Sequence, residues 1–160
     1  MTLQKNNEEN LSYDNNNLYP IVGIDYGDKH VGIAVSDFKG IVATPLKTIH
    51  TDTIKNPEIV FEELRKVIKE YRIKRIILGM PQSFGSTDTR AQDKIISFKN
   101  MLEDSINLPV ILFDESFSTK NAQDMLISSG MHSKSFRHKI DSIACALFLQ
   151  EFLNFEQKNK

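Results

Sequence analysis

The hydrophobic period changes part-way along the chain, and that change limits the fold more than any other feature. Up to Ile49 the apolar residues come in short runs broken by glycine: "YPIVGIDYG", "HVGIAVSD" and "GIVATPLKTI". In the second run Val31, Ile33 and Val35 alternate with other residues, the two-residue period of a strand. Gly40 marks the turn before the third. Beyond them Val60, Leu64, Val67, Ile68 and Tyr71 recur at helical spacing, which predicts an amphipathic helix over residues 58–71 with Pro57 in its first turn. "KRIILGMP" then reads as a strand covered on both faces. A second helix follows with Ala91, Ile95, Phe98 and Leu102 on one side. "LPVILFDES" is a last buried strand. Ser118 caps a helix that Gly130 stops, and a final helix over about 137–152 turns Ile140, Ile143, Ala144, Leu147 and Phe148 inward.

Three strands that can close as hairpins therefore precede strand–helix alternation, which requires parallel crossovers. The expected order is β-β-β-α-β-α-β-α-α. The fold class is α/β, a mixed five-stranded sheet with helices on both faces. Residues 1–19 are Asn-rich and poor in apolar side chains, so a disordered tail is expected there. One domain is expected over 20–154, with a short C-terminal tail over 155–160.

Composition narrows the function. The chain has a single cysteine, Cys145, which excludes an internal disulfide framework and a cysteine-rich zinc site; in an apolar helix it reads as core. No run is apolar enough to span a membrane, and "MTLQKNNEEN" lacks the apolar centre of a secretory signal, so a cytoplasmic address is expected. The net charge of −1 is not the footprint of a nucleic-acid binder, so any such role must come from a local basic patch.

Four acids stand out by position. Asp25 lies near the end of the first strand, Asp114 and Glu115 where the last strand runs out, and Asp141 in the first turn or so of the last helix. Ligands of open α/β sheets gather outside the carboxyl ends of the parallel strands. If the first and last strands are parallel, Asp25, Glu115 and Asp141 can converge there. Clustered carboxylates repel, and a divalent cation removes that cost; hard oxygen ligands suit Mg2+ or Mn2+. Two such ions about 4 Å apart can serve phosphodiester hydrolysis. Each acid also has an ordinary reading: Asp25 as a turn-former, Asp114 and Glu115 as loop residues, Asp141 as a partner of the helix macrodipole.

The segments "GIDYGDKHVGIAVSD", "ILGMPQSFGSTDTRAQ", "DESFST" and "KIDSIACALFLQEFL", in this order, resemble the YqgF family, also called RuvX-like proteins, of the ribonuclease H-like superfamily. The resemblance covers about residues 20–153. It implies a ribonuclease H-like fold and a metal-dependent nuclease that matures the 5′ end of the small-subunit (pre-16S) ribosomal RNA precursor, with Holliday-junction resolution as the older alternative. The family's acidic residues fall on Asp25, Glu115 and Asp141, with Asp114 in support. One departure is Ser116, where the family usually has arginine, whose planar fork could orient a carboxylate or grip a phosphate. His138, three residues before Asp141, is a further ligand or proton-carrier candidate, or simply an exposed histidine.

Lys29, Arg90, Lys134, Arg137 and Lys139 could form a basic rim around the acids and hold phosphates, or each could merely solvate a loop. The partners implied are nucleic acid, either precursor ribosomal RNA or branched DNA, and ribosomal particles, for a monomer or homodimer. A reading from another class is a non-catalytic nucleic-acid-binding module for ribosome assembly, to which Ser116 lends weight.

Overall fold

The computed structural model describes residues 18–81, 88–115 and 134–159, without the side chains of 81, 115 and 134–139. Within them the chain forms β1 (Ile21–Tyr26), β2 (His30–Ser36), β3 (Ala43–His50), α1 (Pro57–Tyr71), β4 (Arg75–Pro81), α2 (Arg90–Ser105), β5 (Val110–Glu115) and α3 (Lys134–Lys158). The five strands make one sheet in the order β3-β2-β1-β4-β5. β1 to β3 are the antiparallel meander expected of the glycine-broken runs. β1 pairs with β4 and β4 with β5 in parallel, as the strand–helix alternation requires. The helix expected over 118–129 lies outside the described residues, as do Ser116 and residues 1–17 of the N-terminal segment.

Alternation along the strands sorts the core into two layers. Val22, Ile24, Val31, Ile33, Ile76 and Leu78 face α1 and α2 and pack against Phe61, Leu64, Phe98 and Leu102. Ile21, Ala34 and Ile77 face the other way, against Cys145, Phe148, Leu149, Phe152 and Leu153 of α3. Cys145 is a core thiol, fully buried. The buried stripe of α3 runs through Cys145 and Leu149, so Ile140, Ile143 and Leu147, expected inward, are only half-buried. β3 begins at Ala43, later than the apolar run suggests, because Ile41 and Val42 take their hydrogen bonds from Asp37: its Oδ1 accepts from both backbone N–H groups at 2.7 and 3.0 Å.

Two boundaries differ from the sequence reading. α3 runs on to Lys158 instead of stopping near 152, and Tyr19, expected in the tail, is packed into the fold at 4% exposure. One polar cluster accounts for both. Arg75, at the start of β4, donates from Nη1 and Nη2 to the Glu156 carboxylate at 3.0 and 2.8 Å and from Nε to the Leu18 carbonyl at 3.1 Å. Tyr19 Oη donates to the same carboxylate at 2.6 Å, and the guanidinium lies over its ring, 5.2 Å from the centroid. Gly40 completes this corner. Its φ of +69° is one that side chains resist, and a Cβ there would stand 2.4 Å from the Tyr19 ring.

Two measurements check the cluster. Glu156→Ala leaves a mostly buried guanidinium without its carboxylate and should lower stability by about 2–4 kcal/mol in denaturant unfolding, somewhat below a fully buried pair because Glu156 is partly exposed. Tyr19 is pushed up to about 12 from 10.0, first by burial and then by its bond to the Glu156 carboxylate and that group's charge, with Arg75 opposing. A raised folded value means the contribution is whole below pH 10 and fades as pH rises towards 12. A tyrosinate absorbance titration should show the Tyr19 phenol ionising at lower pH in Glu156→Gln than in wild type.

Candidate functional site

The face of the sheet that receives α3 also carries the first of the candidate acids. Along β1 that face shows Ile21, Gly23 and Asp25. A Cβ on Gly23 would lie 3.3 Å from Cys145 Sγ and from Leu149. Strand and helix then keep step, since two strand residues advance about 6.7 Å and four helical residues about 6 Å. One step beyond Gly23 on the strand is Asp25; four residues before Cys145 on the helix is Asp141.

The contact that sets this step is at Gly32, the cross-strand partner of Asp25. A Cβ there would lie 2.2 Å from the Asp141 carbonyl oxygen and 2.6 Å from its carbon, so only a glycine lets the helix come this close. Directly opposite residues of an antiparallel pair have Cα atoms about 5 Å apart and side chains on one face. The structure therefore brings Asp25 and Asp141 to either side of Gly32, both half-buried at the edge where β1 ends.

β5 reaches the same edge. Ile111 and Phe113 pack into the α3-side layer, so alternation assigns position 115 to the face of Asp25 and Asp141, with β4 between the two strands. Asp114 pairs in register with Met80, which packs into the opposite layer, so it belongs to the other face and is exposed. Among the described residues no group of three His, Cys, Asp or Glu stands ready to hold a metal; the side chain of Glu115 is not among them. What the described residues offer is two carboxylates on one face beside a glycine, a hard-oxygen donor set that fits Mg2+ or Mn2+ better than a nitrogen- or sulfur-loving ion.

Arg137, His138 and Lys139 lie in α3 as expected, Lys134 lies in it as well instead of ahead of it, and the side chains of all four are outside the description. Because the helix starts at Lys134, Asp141 sits about two turns in. The macrodipole acts mainly within the first turn, so the helix-start reading of Asp141 no longer holds. The other expected cations are already matched by acids. Lys29 Nζ donates to Asp52 Oδ2 at 2.6 Å, and this bond, ahead of backbone donors and Lys29's charge, draws the Asp52 carboxyl down to about 2. Arg90 binds Asp88 through Nε and Nη2 at 2.8–3.2 Å.

One pair escaped the sequence reading. Lys94, one turn after Arg90 on α2, reaches Asp28 in the β1–β2 turn at 2.8 Å. Together with Tyr26, Gly27, Arg90 and Ile95 they line an open cavity of about 380 Å³. The one available signal was Lys94's position a helical turn beyond Arg90; its partner lies 66 residues away and could not be read from spacing.

A family profile described as RuvX, Holliday junction resolvase, matches residues 19–155. This chain belongs to the RuvX family. A relative from Thermoanaerobacter pseudethanolicus is 37% identical over 141 residues, 88% of this chain and 99% of the relative; one from Rickettsia typhi is 33% identical, over 84% of this chain and 85% of the relative. Both carry the provisional name pre-16S rRNA nuclease. Among solved structures, Thermus thermophilus RuvC in complex with a Holliday junction substrate overlays with a TM-score of 0.54 at 16% identity, covering 86% of this chain and 95% of RuvC. The fowlpox virus resolvase, also solved with Holliday junction DNA, gives 0.51 at 19% identity over 86% of this chain and 99% of the resolvase. At these identities the likeness is one of fold, and it matches the ribonuclease H-like architecture that the RuvX motifs imply.

Gly32 gives this candidate site a direct test. Gly32→Ala keeps every acid but drives a methyl into the Asp141 backbone. The helix must move, at a cost of about 1–3 kcal/mol or more in chemical denaturation. Gly32→Ala should therefore be less stable than wild type and lose nuclease activity beyond what its folded fraction explains.

Proposed function

We propose that the chain is a divalent-metal-dependent endonuclease that hydrolyses phosphodiester bonds in structured nucleic acid, with the precursor of small-subunit ribosomal RNA as its substrate. The observation that carries this reading is the seating of the Asp141 backbone on Gly32, the strand partner of Asp25, at the edge where the parallel strands end. Nuclease names among RuvX relatives support it.

Asp25, Glu115 and Asp141 would hold Mg2+ or Mn2+. When bound, the ion supplies a nucleophilic water near neutral pH and stabilises the leaving oxygen. The carboxylates would also orient that water. Gly32 keeps the face clear for the ribose-phosphate backbone. His138, three residues ahead of Asp141 on α3, is the supporting residue nearest in sequence, and Asp114, on the opposite face, acts only through its neighbour. Lys29, Arg90, Lys134, Arg137 and Lys139 contact phosphates. For Lys29 and Arg90 the substrate takes the place of Asp52 and Asp88, so binding exchanges one anionic partner for another and weakens steeply with salt. Ser116 offers no charge to the phosphate, so more of the grip falls on these cations. The enzyme acts in the cytoplasm as a monomer or homodimer, on precursor ribosomal particles.

Purified protein incubated with precursor ribosomal RNA and Mg2+ should cleave it, and chelator should abolish cleavage. Asp25→Asn and Asp141→Asn should each lower the rate by about a hundredfold or more while leaving RNA binding nearly intact. Cleavage that survives either substitution would remove that residue from the site. A four-way DNA junction run in parallel tests the resolvase reading, which the description of the family profile favours. Binding without cleavage in any metal would instead make the chain an assembly module.

A further inference from the structure

His30 and His50 face each other across the β2–β3 ladder as register partners. Both are exposed, their Nδ1 atoms are 2.9 Å apart, and the rings stand nearly perpendicular at 83° with centroids 4.9 Å apart. The strand ends that carry them are held together beyond the ladder. The Thr51 N–H donates to the Lys29 carbonyl at 3.1 Å, and the Thr53 N–H to the Asp28 carbonyl at 2.9 Å. The bulge in this strand pair falls at Ile33 and Ala34, away from the histidines. Two nitrogens on adjacent strands are thus held together by backbone hydrogen bonds on both sides.

We propose that His30 and His50 form a transition-metal site, distinct from the carboxylate site, that takes a nitrogen-preferring divalent ion of the Cu2+ or Ni2+ kind. With metal–nitrogen bonds of about 2.05 Å, nitrogens 2.9 Å apart subtend about 90° at the ion. That is the cis angle of a square or octahedral site; tetrahedral zinc would hold its nitrogens about 3.3 Å apart. Water, or an oxygen of a bound nucleic acid, fills the other positions.

Without metal, one Nδ1–H donates to the other ring's Nδ1. To bind one ion, both Nδ1 atoms must turn a lone pair towards it, with the donor ring carrying its proton on Nε2 instead. Lys29, next to His30 in the chain, is matched by Asp52 at 2.6 Å, which moderates its opposition to the ion. Mg2+, which prefers oxygen and keeps its waters, does not compete for two imidazoles. By strand alternation position 30 shares a face with Gly32, two residues or about 7 Å along β2, so the ion stands at the rim of the carboxylate site without sharing its ligands. The inference does not depend on the proposed nuclease activity.

The experiment is a Ni2+ titration of the tag-free full chain by calorimetry in millimolar Mg2+, with a Cu2+-loaded sample read by electron paramagnetic resonance. One ion per chain should bind, and the Cu2+ spectrum should show coupling to two imidazole nitrogens. His30→Asn and His50→Asn should each weaken Ni2+ binding about tenfold or more, with circular dichroism unchanged. His132, a histidine outside both sites, serves as the control, and His132→Asn should bind as wild type. Unchanged affinity in His30→Asn or His50→Asn overturns the proposal, as does loss of binding in His132→Asn. A wild-type Cu2+ spectrum without two nitrogen ligands overturns it even if a variant fails to fold.

Discussion

Helix α3 approaches the sheet more closely than any side chain at position 32 would permit, and the rest of the site depends on that approach. A Cβ on Gly32 would overlap the backbone of Asp141, and one on Gly23 would press on Cys145 and Leu149. The glycines let two backbones meet, and the meeting point lies beside Asp25, not in mid-sheet. A half-buried carboxylate near the middle of an apolar strand would be costly alone. At the strand's end it lies beside Gly32, where the backbone of a second aspartate, Asp141, comes close.

The helix is fixed at its far end by different chemistry. Fifteen residues, or about 22 Å, beyond Asp141, Glu156 accepts from Arg75 and Tyr19, and Arg75 also holds the Leu18 carbonyl. One end of α3 is therefore set by steric fit and the other by a charge-assisted cluster. Between them Phe148, Leu149, Phe152 and Leu153 supply an apolar seam. Contacts at both ends of the helix and along its length therefore fix the position of Asp141.

Charge around the site follows from the near-neutral composition. Lys29, Arg90 and Lys94 each have a carboxylate within 3 Å, so in the free protein the cations near β1's end are matched locally. Local pairing of this kind suits a chain of net charge −1, which has no field that attracts every polyanion. Exposed pairs of this kind are worth little to stability.

The sequence by itself determined the element order, the antiparallel start, the parallel continuation and the family, because periodicity and short motifs are local properties. It also singled out Asp25, Glu115 and Asp141, through motifs whose residues keep fixed places in the chain. Only the tertiary structure decided what those places mean in space. It set Asp25 and Asp141 on either side of Gly32, and it put Asp114 on the opposite face from its neighbour's position. It moved Asp141 two turns into a longer helix, extended that helix to bring Glu156 to Arg75, and matched Lys94 with Asp28 and His30 with His50. Each of these is a pairing between distant segments, set by strand register, by the step of helix against strand, or by room for a backbone contact. No local pattern of apolar and polar residues encodes which of several equally spaced partners a side chain will meet.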